Sequence, residues 1–108
     1  MCGIFFTIKN LNDHDKTNFL ECLDLIKRRG PDSHGYKELI VNKFILEFGF
    51  RRLAIQDLSD NGNQPFVSDR GNILLFNGEI YNHKTLRKLI NQKTYIKWRS
   101  SSDTETII

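Results

Sequence analysis

The sequence predicts a mixed α+β fold, and three observations predict it. Apolar residues alternate with period two over residues 44–51. Apolar residues recur at steps of three and four over about residues 16–29 and 83–92. Short β-branched and aromatic runs lie between these segments, bounded by turn residues. Strands and helices that follow one another in this way, with mostly hairpin-like neighbours, read as α+β.

The elements follow in order. Gly3 to Ile8 is a β-branched and aromatic first strand. Asn10 to Asp15 is polar and turn-like. From Lys16 to Arg29 the residues Phe19, Leu20, Cys22, Leu23, Leu25 and Ile26 form one face of an amphipathic helix. Lys27, Arg28 and Arg29 suit the negative end of its dipole, and Gly30-Pro31 stops it. Gly35 to Val41 is a short strand and Asn42-Lys43 a turn. Phe44, Leu46, Phe48 and Phe50 then form the apolar side of a third strand. Ser59 to Gln64 is a loop and Asn72 to Phe76 a strand. Asn82 is the expected N-cap of a helix from His83 to Gln92, with Leu86, Leu89 and Ile90 as its apolar face. Thr94 to Trp98 is a further strand. Ser102-Asp103-Thr104-Glu105 has the capping-box pattern and is expected to open a last helix. A single helical turn is not stable alone, so the end is expected either to fray or to be completed by another chain.

With 108 residues the chain has the length of one domain. A hydrophobic fraction of 39%, with 8 Phe and 3 Tyr, argues against disorder. The net charge is only +3 and no block of five or six like charges occurs, which gives a nucleic-acid or membrane-surface reading little support and favours a solvated basic surface. The longest apolar runs, Ile4-Phe5-Phe6 and Ile73-Leu74-Leu75-Phe76, fall far short of the ~20 residues that cross a bilayer. The start lacks a secretory pattern, so the two cysteines read as thiols of a cytoplasmic protein.

Several positions can carry chemistry. Cys2 follows Met1, and its small side chain suits removal of the initiator. The exposed α-amine, with a reference pKa of about 7.7–8.0, would then accept the proton of the thiol beside it. On Cys2 alone the plain reading, a second-position cysteine of no consequence, is the stronger. Arg52 lies two residues beyond Phe50 and so continues the apolar side of its strand. It needs an anionic partner there. Either a ligand carboxylate or an internal salt bridge fits, unless the strand ends at Phe50. Asn77-Gly78 is either a type I′ hairpin turn or a close-approach loop whose amide groups stabilise an oxyanion. Asp103, at a helix start, is explained by the dipole alone; with Glu79 it can also hold a ligand ammonium. His14, His34 and His83 show no metal-ligand spacing, and no metal site is expected.

Taken together, MCGI at the start, RRGPDSHG at 28–35, FRRLAIQDLS at 50–59, NQPF at 63–66, NGEIYNH at 77–83 and SDTE at 102–105 resemble the glutaminase domain of class II glutamine amidotransferases, in the N-terminal-nucleophile superfamily. RRGPDS and NGEIYN are closest in wording to the asparagine-synthetase branch. The resemblance implies a four-layer αββα sandwich, here expected to be incomplete, with residues 1–108 as the N-terminal part of that domain. It implies hydrolysis of the glutamine side-chain amide to glutamate and ammonia. Cys2 is the implied nucleophile, Asn77 and Gly78 the oxyanion hole, Arg52 the partner of the substrate carboxylate, and Glu79 and Asp103 the partners of its ammonium. RRGPDS is expected to be a structural turn. No cofactor is implied for this chain; ATP and magnesium belong to a synthetase domain that these residues do not contain. Two function classes are open: a glutaminase, alone or with a partner chain carrying the rest, and a non-catalytic remnant or interaction module that pairs with a full synthetase or with itself. A redox role for Cys2 and Cys22 is disfavoured by the absence of Cys-x-x-Cys spacing.

Overall fold

A computed structural model describes residues 1–13 and 18–108 of the chain. His14 and the expected start of the first helix at Lys16 lie outside the described residues. The first strand, β1, runs over Gly3–Asn10; α1 covers Phe19–Leu25; β2 is Ser33–Val41 and β3 is Phe44–Arg52. Two short strands, β4 (Phe66–Val67) and β5 (Ile73–Leu74), form a ribbon, and α2 covers His83–Lys93. Single 3₁₀ turns occupy Lys27–Arg29, Asp60–Gly62 and Asp103–Thr106. The mixed α+β expectation holds.

β3 is the central strand of an antiparallel sheet ordered β1-β3-β2. The β2–β3 hairpin closes through Asn42-Lys43 as expected, with Asn42 in the left-handed region at φ 54°. Asn tolerates that region better than most side chains. The register pairs Ile4 with Phe50, Phe6 with Phe48 and Ile8 with Leu46. Even-numbered β1 and β3 residues therefore share one face, while Gly3, Phe5, Gly49 and Arg51 share the other.

The helix α1 packs on the odd face. Phe19 lies 4.9 Å from the Phe5 ring and 5.3 Å from the Tyr36 ring, and Leu23 is fully buried. Gly49 makes room for it: a Cβ there would sit 2.8 Å from Phe19 Cε1. Asn18 caps α1 by accepting hydrogen bonds from the Leu20 and Glu21 amides. The even face is covered at one end only. Gln64 and Pro65 press against Gly35 there, beside the buried Phe50 and Arg52. At the other end Phe6, Ile8, Leu39, Val41 and Phe44 remain exposed.

Five expectations are corrected. The first helix ends at Leu25, so Lys27, Arg28 and Arg29 sit in the separate 3₁₀ turn and not in its last turn. Asn82 precedes α2, but its side chain makes no capping bond. Thr94 to Trp98 is not a strand: no neighbouring strand pairs with it, and Trp98 instead lies under the Arg87 guanidinium, 4.3 Å from the ring centre. Ser102 caps by accepting from the Thr104 amide, but Glu105 does not complete the box. Its carboxylate accepts from the Arg99 and Ser100 amides, and only a 3₁₀ turn follows. The predicted strand at Asn72–Phe76 shortens to β5.

Leu23 and Leu25 make a direct contrast, being 1% and 84% exposed on one short helix. Leu23→Ala is expected to cost about 2–5 kcal/mol, and Leu25→Ala less than about 0.5 kcal/mol. Urea denaturation of both variants checks this; equal effects would show that α1 does not form the core described.

Candidate active site

A cavity of about 350 Å³ opens on the covered end of the even face. Cys2, Arg52, Asn77, Gly78, Glu79 and Asp103 all line it. Residues 75 positions apart thus meet at one place. The register of β1 on β3 brings them there. Gly3 pairs with Arg51, so Cys2 continues β1 beside Arg52 and Leu53.

The Cys2 thiol is bracketed by the backbone of Leu53. The Leu53 amide donates to Sγ at 3.3 Å, and Sγ lies 3.7 Å from the Leu53 carbonyl oxygen. The Cys2 backbone N–H donates to Asn77 Oδ1 at 3.2 Å. That bond fixes the rotamer sense of Asn77, because the amide nitrogen must then point the other way. Arg29 Nε donates to the Cys2 carbonyl at 3.1 Å. RRGPDS is therefore more than a turn, since one of its side chains touches the residue that carries the thiol. Sequence reasoning missed this, and periodicity held no signal for it: Arg29 reads as one of three basic residues in the last turn of a helix.

Arg52 is the charged wall of the cavity. β3 continues through it, paired with Ser33, so the strand does not end at Phe50. The side chain is buried, yet among the described residues no carboxylate pairs with it. Its nitrogens donate to the carbonyl of Ser59 at 2.8 Å, to Asn63 Oδ1 at 2.9 Å and to the carbonyl of Asp57. Gly62 permits this: any Cβ there would collide with the guanidinium. A cation held by neutral acceptors at a cavity wall keeps its charge available to an anion. Arg51 faces the other way, bonded to the Leu23 carbonyl and paired with Asp24.

Asn77 and Gly78 do not form the hairpin turn. β5 ends at Leu74, the chain leads through a loop into α2, and neither residue has positive φ. Both are exposed to the cavity, as is Glu79. Asp103 is buried, and its Oδ2 accepts from the Ile80 amide at 2.7 Å. It thus fastens the 77–80 loop as well as facing the cavity. His83 is buried at the start of α2 and His34 pairs opposite Arg51 on β2. Among the described residues no group of His, Cys, Asp and Glu could hold a metal ion.

Asp57 was not singled out in the sequence. Its carboxylate accepts from the Ser59 hydroxyl and amide and, at 2.8 Å, from the Ser101 amide. The Ser59 hydroxyl, aided by the two amides, holds Asp57 well below the usual carboxylate range against the opposing effect of burial. Its own carbonyl holds Arg52.

Against this geometry the comparisons are specific. A family model described as a glutamine amidotransferase domain matches residues 1–108. The chain belongs to the glutamine amidotransferase domain family. It is 38% identical over 109 residues to a probable glutamine-hydrolysing asparagine synthetase of Acanthamoeba polyphaga mimivirus, covering all of this chain and 19% of the relative. Identity to a probable glutamine-hydrolysing asparagine synthetase of Schizosaccharomyces pombe is 40% over 111 residues, with all of this chain and 19% of the relative covered. For asparagine synthetase 1 of Bacillus subtilis it is 37% over 116 residues, with all of this chain and 17% of the relative covered. The amidotransferase chain thus spans about a fifth of the length of the curated relatives it matches. No solved structure matches it. Among the described residues no helix is long and apolar enough to cross a membrane.

Asp57 sets an acid limit on this site. The unfolded chain takes up the Asp57 proton near pH 4, whereas the folded chain resists it to lower pH. The contribution of Asp57 to stability is therefore complete above about pH 4 and is lost as pH falls through the folded value. Asp57→Asn is expected to flatten the loss of stability below pH 4, read as the urea midpoint between pH 6 and 2.5. An identical pH profile in the variant would exclude this role.

Proposed function

We propose that this amidotransferase domain hydrolyses the side-chain amide of glutamine to glutamate and ammonia through a thioester on Cys2. One observation carries the reading: the thiol, one cation without a carboxylate partner among the described residues, the carboxylates of Glu79 and Asp103 and an Asn-Gly loop line a single cavity, while a third lining carboxylate, Asp57, is taken up by Ser59 and Ser101. A free amino acid is a zwitterion, and this wall arrangement matches it. Arg52 pairs with the α-carboxylate in the fork geometry suited to guanidinium. Glu79 and Asp103 accept from the α-ammonium, which leaves the side-chain amide to reach Cys2.

With Met1 removed, the Cys2 α-amine takes the thiol proton as Sγ attacks the amide carbon. The carbonyl oxygen becomes an oxyanion, stabilised by the Asn77 Nδ2 and the Gly78 N–H; donors of this kind are worth about 2.7–4 kcal/mol each. The C–N bond then breaks and the α-amine returns the proton to the departing nitrogen, which leaves as ammonia. Water attacks the thioester carbon, its proton returns to sulfur by way of the amine, and glutamate is released. No cofactor enters these steps. ATP and magnesium, in the asparagine-synthetase branch, serve a separate domain.

The same reading assigns the fold to the N-terminal-nucleophile sandwich. The helix α1 on the odd face of the three-stranded sheet would be the first two of its layers. The cytoplasm and a synthetase-domain partner fit this assignment. A second reading, a non-catalytic interaction module, is favoured by the exposed Phe6, Ile8, Val41 and Phe44 of the even face, which suit packing on a synthetase chain or a second copy.

Intact-mass analysis with a glutamine-analogue electrophile separates the two. Loss of Met1 and a single adduct on Cys2 are expected; retained Met1, or an adduct on Cys22, counts against the mechanism. Cys2→Ala is expected to abolish ammonia release from glutamine while Cys22→Ala preserves it. Equal loss from both would place the effect in folding.

A further inference from the structure

Gln64 lines the same cavity and is 7% exposed. Its side-chain amide is fully used. Oε1 accepts from the Phe76 amide at 2.6 Å, and Nε2 donates to the Phe76 carbonyl at 3.0 Å and to Thr104 Oγ1 at 3.3 Å. The first two bonds copy what a neighbouring strand would give Phe76. β5 stops at Leu74, and among the described residues no backbone group pairs with Phe76. The side chain of Gln64 thus replaces the missing ladder at that one residue.

Phe76 immediately precedes Asn77-Gly78, and Thr104 immediately follows Asp103. A single amide therefore ties the loop that carries the oxyanion donors to the turn that carries an ammonium-binding carboxylate. We propose that Gln64 is a positioning residue that fixes the spacing between the Asn77-Gly78 donors and Asp103, and hence where the substrate amide sits relative to its α-ammonium. This rests on the glutaminase reading. A displacement of about 1 Å at an oxyanion loop is enough to cost ~10²-fold in rate; the Ile80–Asp103 and Cys2–Asn77 bonds hold the loop after Phe76, and among the described residues only Gln64 bonds to the Phe76 backbone before it. Gln64 touches no reacting atom and acts through its two neighbours.

The two arms have separable consequences. Gln64→Met keeps the length of the side chain and removes every polar atom. It is expected to lower kcat about 10–100-fold. Thr104→Val removes only the bond toward Asp103, and is expected to raise KM for glutamine about 3–10-fold with the smaller effect on kcat. Amide hydrogen exchange in the full chain supplies a readout independent of turnover. Phe76 is expected to exchange faster in Gln64→Met, and the Asn77 and Gly78 resonances to move, while Leu53 behaves as in the parent chain. Wild-type exchange at Phe76 in Gln64→Met overturns the proposal, as does a kcat loss no larger than that of Leu23→Ala at matched stability. If Gln64→Met does not fold, Gln64→Glu takes its place: it still accepts from the Phe76 amide but loses both donors at neutral pH, and unchanged kcat in that variant overturns the proposal equally. A parent chain that releases no ammonia refutes the glutaminase reading, and Phe76 exchange then decides the tether by itself.

Discussion

The register of β1 on β3 is the constraint on which the site depends. Gly3 pairs with Arg51, and side chains alternate with period two. Cys2 and Arg52 consequently reach the even face together, and Arg51 turns toward α1. A slip of one residue would bury Arg52 under the helix and present Arg51 to the cavity, away from Ser59, Asn63 and Asp57. The register is set on the odd face by Gly49, the one position of β3 where Phe19 and Leu23 can approach so closely. On the even face Phe50 is the buried anchor. Packing at Gly49 and Phe50, on the same strand as Arg52 and only three and two residues before it, thus decides which guanidinium faces the thiol.

Beyond the sheet, regular backbone pairing gives out and polar side chains replace it. Residues 53–82 and 94–108 hold only two short strands and 3₁₀ turns. Asp57 ties its loop to Ser101, Gln64 ties Phe76 to Thr104, Asp103 ties Ile80, and Glu105 ties Arg99 and Ser100. Arg87 on α2 donates to the carbonyls of Ser100 and Ser102, which fixes the last segment against that helix. Apart from the Gln64 bond to the Thr104 hydroxyl, these bonds satisfy backbone groups that a longer sheet would otherwise pair. Four apolar side chains are buried among the described residues against ten polar or charged ones, so the shape of the site rests on hydrogen bonds more than on oil.

The strands and the site were legible for different reasons. Alternation at Phe44, Leu46, Phe48 and Phe50 gave β3, and Asn42-Lys43 gave its hairpin, because both are local signals. The six site residues were reached through motifs whose residue types fit a zwitterionic amide, and the structure gathers all six at one cavity. What failed was local chemistry overridden by distant partners. Ser102-x-x-Glu105 reads as a capping box, but the Glu105 carboxylate is drawn to the Arg99 and Ser100 amides. Thr94 to Trp98 has strand composition, but a strand needs a neighbour, and Arg87 takes Trp98 instead. Gln64 and Asp57 fall inside the motifs NQPF and FRRLAIQDLS, but nothing in those motifs gave them a role, since that role lies in which backbone groups the fold leaves unpaired.

The two faces of the sheet also divide labour along its length. At the end near Arg52 both faces are covered, by α1 and by the Gln64-Pro65 segment, and there the charged and reactive groups gather. At the Asn42 end the odd face is closed by Glu47, which takes hydrogen bonds from Thr7 and Tyr36 and pairs with Lys9 at 2.9 Å. Burial opposes its charge, yet Lys9 and Thr7 outweigh that and hold it ionised more firmly than a free carboxylate. The even face at that end offers the apolar Phe6, Ile8, Leu39, Val41 and Phe44 to solvent. Apolar area in water costs about 25 cal/mol per Å² relative to burial, so this end gains most from any surface laid upon it, while the site end has little left to gain. The buried apolar residues Phe19, Leu23 and Phe50 and the chemistry are thereby placed at the same end of the sheet, and the open end is left for a covering surface that can change without touching the cavity.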